Sequence, residues 1–130
     1  METGPEGRNG WARFVTGLTI FRYLAKYKIM NAVFKALADP TRRKILELLR
    51  QREMTAGEIA DHFPLSKSTM SGHFAVLREA ELVDTEKNGT VITYRLRISV
   101  LEEALLSFAG LLGIGLHREE GSFGKKENPS

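Results

Sequence analysis

At Leu82 the spacing of apolar residues changes from the three-and-four step of a helix to the two-step of a strand. The strand pattern then folds back on itself: Val83 to Lys87 and Thr90 to Leu96 are β-prone runs around Asn88-Gly89. Both residues of that pair tolerate positive φ, so the spacing predicts a hairpin closed by a type I′ turn. The helix before it is short, opened by the Pro64-Leu65 break and a Ser66 cap. Its buried stripe is Met70, Phe74, Leu77 and Val76. Lys67, Ser68, Ser71, Gly72, Ala75 and Arg78 fall on the outer side, with Thr69 and His73 at the margins. A short helix followed at once by a tight hairpin leaves few folds open to a chain of 130 residues.

The remaining punctuation narrows them further. Val33, Phe34, Leu37 and Ala38 form a short apolar helix that stops before Asp39-Pro40, an N-cap followed by a proline suited to a first helical position. The next helix buries Ile45, Leu46, Leu48 and Leu49 and carries Arg42, Arg43, Lys44 and Glu47 outside. Thr55 and Glu58 form a capping box that opens a third helix, with Ile59, Ala60 and Phe63 inward. After the hairpin, Ser99 is expected to cap a last helix, rich in apolar residues up to Leu112 and ending at Gly113-Ile114-Gly115. The expected class is mainly α with a β-hairpin (α+β), a winged helix-turn-helix of order α-α-α-α-β-β-α, with a further N-terminal helix as an option. Residues 30–116 form that domain, and 117–130 read as a disordered tail.

Charge does not by itself mark a nucleic-acid binder. Of 19 basic and 16 acidic residues, five basic (Arg8, Arg13, Arg22, Lys26, Lys28) and two acidic (Glu2, Glu6) precede Met30, leaving 14 of each sign beyond it. The net +3 therefore belongs to residues 1–29, and the domain is neutral. Within that extension the longest uncharged apolar stretch, Phe14 to Phe21, is eight residues, where a membrane span needs about 20. Neither a span nor an export signal is expected. Trp11, Phe14, Leu18, Phe21 and Ala25 recur at helical spacing on a basic segment. Three readings stay open: a helix packed on the domain or its dimer, a membrane-surface helix, or an upstream translation with Met30 as the natural start.

Placement carries the functional reading instead. The major groove of B-DNA admits one helix, and its floor displays a distinct donor and acceptor pattern for each base pair. A reading helix needs short hydroxyls and flexible cations near its N-terminus, where Lys67, Ser68, Thr69, Ser71 and His73 lie. Alone, the serines would serve equally well to cap and solubilise an exposed helix. The hairpin that follows, with Lys87 beside its tip, supplies cations for flanking phosphates and favours DNA. Gly72 costs about 1 kcal/mol in mid-helix relative to Ala; it is either a point of close approach for DNA or a weak point.

Residues 30–112 resemble the ArsR-type winged-helix repressors of bacteria. The resemblance rests on Leu37-Ala38-Asp39-Pro40-Thr41-Arg42 followed by Ile45-Leu46, on Ser66-Lys67-Ser68 with Ser71, His73 and Leu77, and on Gly89 and Tyr94-Arg95-Leu96. Met30 to Leu37 and Met54-Thr55-Ala56-Gly57 resemble in particular a metal-independent branch that includes the autorepressor of the sporulation-delaying toxin/immunity operon. The resemblance implies a cytoplasmic homodimer built from the first and last helices, through Phe34, Leu101, Leu105, Phe108 and Leu112. It also implies two reading helices one turn of DNA apart and a palindromic operator. The expected contacts to double-stranded DNA are Arg42, Lys67, Ser68, Thr69, Ser71, Gly72, His73, Arg78, Lys87 and Asn88. Independently, the apolar positions of 100–112 span more than one face, which a lone small domain would leave exposed.

No cofactor or metal is expected. Without Cys there is no thiolate site. His117 with Glu120 forms an H-x-x-E pair, but it lies beyond Gly113 and Gly115 and has no D-x-H partner at the start of the last helix, where Val100, Leu101 and Glu102 stand. His62 reads as a surface residue. There is no P-loop, and Ser71 and His73, two apart on a helix, do not face each other, so no enzyme is expected. A dimeric repressor leads, released by a small-molecule inducer of unknown kind or by a sequestering membrane or partner protein. The alternatives are an interaction module tethered by the basic N-terminus and a metal-responsive repressor.

Overall fold

The computed structural model describes residues 10–116, with side chains from Gly17 onward. Five helices and three short strands follow one another as α1 (Gly10–Leu37), α2 (Pro40–Gln51), β1 (Met54–Thr55), α3 (Ala56–Ala60), α4 (Lys67–Glu79), β2 (Val83–Asn88), β3 (Val91–Leu96) and α5 (Ile98–Leu111). The winged helix-turn-helix order is as expected, with one strand added. β1 pairs antiparallel with β3 (Met54 opposite Tyr94), so the sheet order is β1-β3-β2.

Chemistry at the helix ends accounts for most boundaries. Asp39 accepts from the Thr41 amide at 2.7 Å and caps α2. Thr55 and Glu58 make both halves of the capping box that opens α3. Ser66 accepts from the Thr69 amide at 3.1 Å and caps α4. These caps satisfy amides that a helix start leaves without an intrahelical partner. The last helix departs from expectation. Its N-cap is Arg97 rather than Ser99, without a side-chain cap, because α5 begins at Ile98 directly off β3. The Arg97 amide is held by the Leu82 carbonyl at 2.8 Å.

The turn differs too. Asn88 pairs with Val91, so the two loop residues are Gly89 and Thr90 rather than Asn88-Gly89. Gly89 alone of these adopts positive φ (+68°), the pattern of a type II′ turn, whose first central position favours glycine.

The N-terminal segment is not a separate helix. It runs without a break into the helix expected from Asn31, giving 28 residues in one piece. Its last turns carry Val33 and Ala36 into a core shared with Ile45, Leu49, Ile59, Leu77 and Leu82, and Met30 is buried as well. Toward its start, Leu18, Phe21 and Ala25 of the predicted stripe are exposed; the side chains of Trp11 and Phe14 lie outside the described residues. No helix among the described residues is long and apolar enough to cross a membrane.

Candidate nucleic-acid interface

Three buried side chains, Met70, Phe74 and Leu77, fix α4 to the core. Their spacing leaves Ser68, Ser71 and Gly72 on the opposite, exposed face. At its N-terminus Lys67, Ser68 and Thr69 are exposed. The Ser66 hydroxyl donates to Thr69 Oγ1 at 2.9 Å and lies 3.3 Å from Ser68 Oγ, so the hydroxyls form one cluster. The first amides of α4 add the partial positive charge of a helix start, which favours a phosphate. A Cβ added at Gly72 would meet nothing within 4 Å, so the fold itself does not require glycine there.

The wing is tied to this helix by Tyr94. Its ring stacks on Phe74 with centroids 4.7 Å apart, and its hydroxyl accepts from Arg78 Nη1 at 3.1 Å. Arg95 of β3 bridges Glu86 on β2 (3.2 Å) and Glu53 before β1 (3.3 Å), bracing the sheet from both sides. Lys87 and Asn88 stand exposed beside the turn. Helix α4 and the hairpin sheet are thus one braced unit.

Two of the expected contact residues, Arg42 and His73, also make hydrogen bonds within the fold. Arg42, half-buried, donates through Nε to the Ala36 carbonyl and through Nη2 to the Lys35 carbonyl, both at 2.9 Å. Its Nη1 lies 3.1 Å from His73 Nδ1. Arg43 Nη1 donates to the Leu37 carbonyl at 2.7 Å. The two arginines together satisfy the carbonyls that end α1, where positive charge is also favoured by the helix dipole. Arg42 and His73 therefore clamp α4 to the α1–α2 corner. Desolvation raises the Asp39 carboxyl, but the Thr41 and Arg42 amides, with His73 and Arg42 nearby, outweigh it and hold it below its ordinary value. Arg78 is likewise engaged, although it stays exposed.

Of the remaining histidines, His62 Nδ1 lies 3.0 Å from the Glu58 carbonyl. His117 and Glu120 fall outside the described residues, among which no group of three metal-ligating side chains occurs. The residues expected at a dimer contact form one surface: Phe34 packs edge-on against Phe108 with centroids 4.9 Å apart, and Leu105, Phe108 and Leu112 are exposed beside them. Leu101 is half-buried at its edge.

Residues 39–85 match the family described as "Bacterial regulatory protein, arsR family". Over 76 residues the chain is 49% identical to the transcriptional repressor SdpR of Bacillus subtilis, covering 58% of this chain and 84% of that one. The chain belongs to the ArsR family. It is 40% identical over 76 residues to an arsenical resistance operon repressor of Staphylococcus xylosus, covering 58% and 73%. Among solved structures, an ArsR-like transcriptional regulator from Rhodococcus superposes with a TM-score of 0.60 at 29% identity, covering 68% of this chain and 83% of that one. As an ArsR-family member the chain is a DNA-binding transcriptional regulator and not an enzyme. The resemblance read from the sequence is confirmed.

Proposed function

We propose that the chain is a homodimeric repressor, and an autorepressor, that reads an imperfect palindrome with two copies of α4. The observation that carries this is the exposed Ser68-Ser71-Gly72 face, flanked by Lys67 and braced to a wing that ends in Lys87 and Asn88. Hydroxyls and Lys67 suit base edges, whereas Lys87 suits phosphate. A neutral domain gains from doubling its phosphate contacts, and the exposed surface of Phe108, Leu105 and Leu112 suits a two-fold contact. Arg42 and His73 are assigned the positioning of α4, and Thr69 and Arg78 border its reading face. Repression follows from occupying a promoter, in the cytoplasm where the DNA is. Similarity to a repressor supports the sign of the effect.

Polarisation titrations on DNA from upstream of its own gene, against scrambled duplex, test this reading. The expected outcome is tighter binding to the upstream DNA by about a thousandfold or more. Equal affinity for both overturns it.

A second reading has its own support. Leu18, Ile20, Phe21, Tyr23 and Leu24 are exposed on a helix that also carries Arg22, Lys26 and Lys28. Exposed apolar side chains interleaved with cations suit an anionic lipid surface or a sequestering partner. Co-sedimentation with anionic vesicles, with and without Phe21→Glu and Leu24→Glu, tests it; equal pelleting of both forms removes the lipid version.

A further inference from the structure

Where α1 crosses α5 there is an open groove of about 540 Å³, within the usual range for a small-molecule site. Its floor is apolar, formed by Ala25 and Ile29 of α1 and by Val100 and Ala104 of α5. Four charged side chains rim it, and three have partners: Lys26 pairs with Glu103 at 3.8 Å, and Glu81 with Arg97 at 3.9 Å. Among the described residues Arg22 has no ion-pair partner, so they leave one unmatched guanidinium beside an apolar floor. We infer that this groove is an effector site for an apolar carboxylate, whose headgroup pairs with Arg22 and whose chain lies along Ile29, Val100 and Ala104. Guanidinium and carboxylate match in charge and in their paired hydrogen-bonding geometry.

The far end of the groove explains how such a ligand acts on DNA binding, a consequence that rests on the regulator reading above. Glu81 holds φ +60°, a left-handed conformation that a side-chain-bearing residue rarely takes. It lies between the end of α4 and the start of β2 and is held by its amide to the Arg78 carbonyl at 2.9 Å. Arg97, its ionic partner, is bonded through its own amide to Leu82 at 2.8 Å. Ligand packing beside Glu81 therefore bears on the joint between reading helix and wing. The joint holds one backbone conformation that a neighbouring ligand can favour or disfavour.

Isothermal titration calorimetry of the full chain tests the site with octanoate as probe, against octylamine and 1-octanol of equal length. Octanoate is expected to bind about tenfold or more tightly than either, as a charge-assisted bond implies. Arg22→Gln removes that preference while leaving 1-octanol binding unchanged. Ala25→Phe, at an exposed position, fills the groove and abolishes binding of all three. In the presence of octanoate, affinity for the upstream DNA changes in the native chain and not in Arg22→Gln. Equal binding of the three probes, octanoate binding that ignores Arg22→Gln, or binding without effect on specific DNA affinity would overturn the inference. So would loss of self-association in Ala25→Phe, because a second copy would then occupy the groove. DNA affinity without octanoate is measured first; if it is not sequence-specific the regulator reading fails, and the calorimetry still decides the site.

Discussion

Arg42 Nη1 lies 3.1 Å from His73 Nδ1, while the same guanidinium holds the Lys35 and Ala36 carbonyls at 2.9 Å. One side chain thus joins the end of α1, the start of α2 and the flank of α4. Arg42→Ala is expected to cost about 1–3 kcal/mol in urea unfolding, since it removes the side-chain donors to the Lys35 and Ala36 carbonyls and the contact to His73. Arg42→Lys recovers only part of this, because an ammonium cannot reproduce the fork. A variant as stable as the native chain but weak on DNA would instead make Arg42 a direct contact.

Gly72 separates folding from DNA binding. No atom lies where its Cβ would go, so Gly72→Ala is expected to stabilise the free protein by about 0.5–1 kcal/mol through helix propensity. If DNA approaches closely there, affinity for specific DNA falls in the same variant. Thermal unfolding and polarisation on one sample give both readings; unchanged DNA affinity makes Gly72 only a weak point of the helix.

The turn offers a backbone test. Gly89 at φ +68° makes Gly89→Val destabilising by about 1–2 kcal/mol, whereas Gly89→Asn is tolerated better because Asn enters the left-handed region more readily. Equal melting of the two variants would contradict the assigned turn.

Lys87 and Lys67 are expected to differ in kind. Lys87→Ala weakens binding to all duplexes alike and lowers the salt slope by about 1, while Lys67→Ala or Ser71→Ala narrows the gap between specific and scrambled DNA. Salt series of polarisation titrations distinguish these; a change in sequence preference for Lys87→Ala would contradict its assignment to phosphate.

Two carboxyls make the fold acid-sensitive. Asp39 is lowered for the reasons given above. Glu58 is lowered first by the Thr55 amide, against desolvation, and further by Arg52 and the Thr55 side chain. A carboxyl lowered on folding stabilises fully above its unfolded value, about pH 4, and loses that contribution as pH falls through the folded value. Native protein is therefore expected to lose more stability below about pH 4 than Asp39→Asn does. Parallel losses in urea unfolding would contradict the role of Asp39.

Local chemistry explains which features could be read from the sequence. Asp39, Thr55 with Glu58, and Ser66 act on amides two or three residues away, so their spacing alone reveals them. The period change at Leu82 works over similarly short range. The misses depend on distant partners. β1 is two residues long and exists because Met54 meets Tyr94, 40 positions on. The turn shifted by one residue because the Asn88–Val91 pairing sets the loop, a choice of register that the Asn-Gly pair does not fix. The contact between Arg42 and His73 joins positions 31 apart, so only the fold brings them within 3.1 Å. The continuity of α1 through Met30 was hidden because the charge imbalance before Met30 marks composition and not a helix break.

Selection of bound sequences from a randomised duplex pool tests the central claim most directly. Two copies of α4 reading one operator predict enrichment of an imperfect palindrome whose half-sites lie one helical turn apart, about 34–36 Å between centres. They also predict that Ser71→Ala relaxes the base preference symmetrically in both halves. Enrichment of a single unpaired half-site would contradict the dimeric reading, and no enrichment at all would contradict sequence recognition by α4.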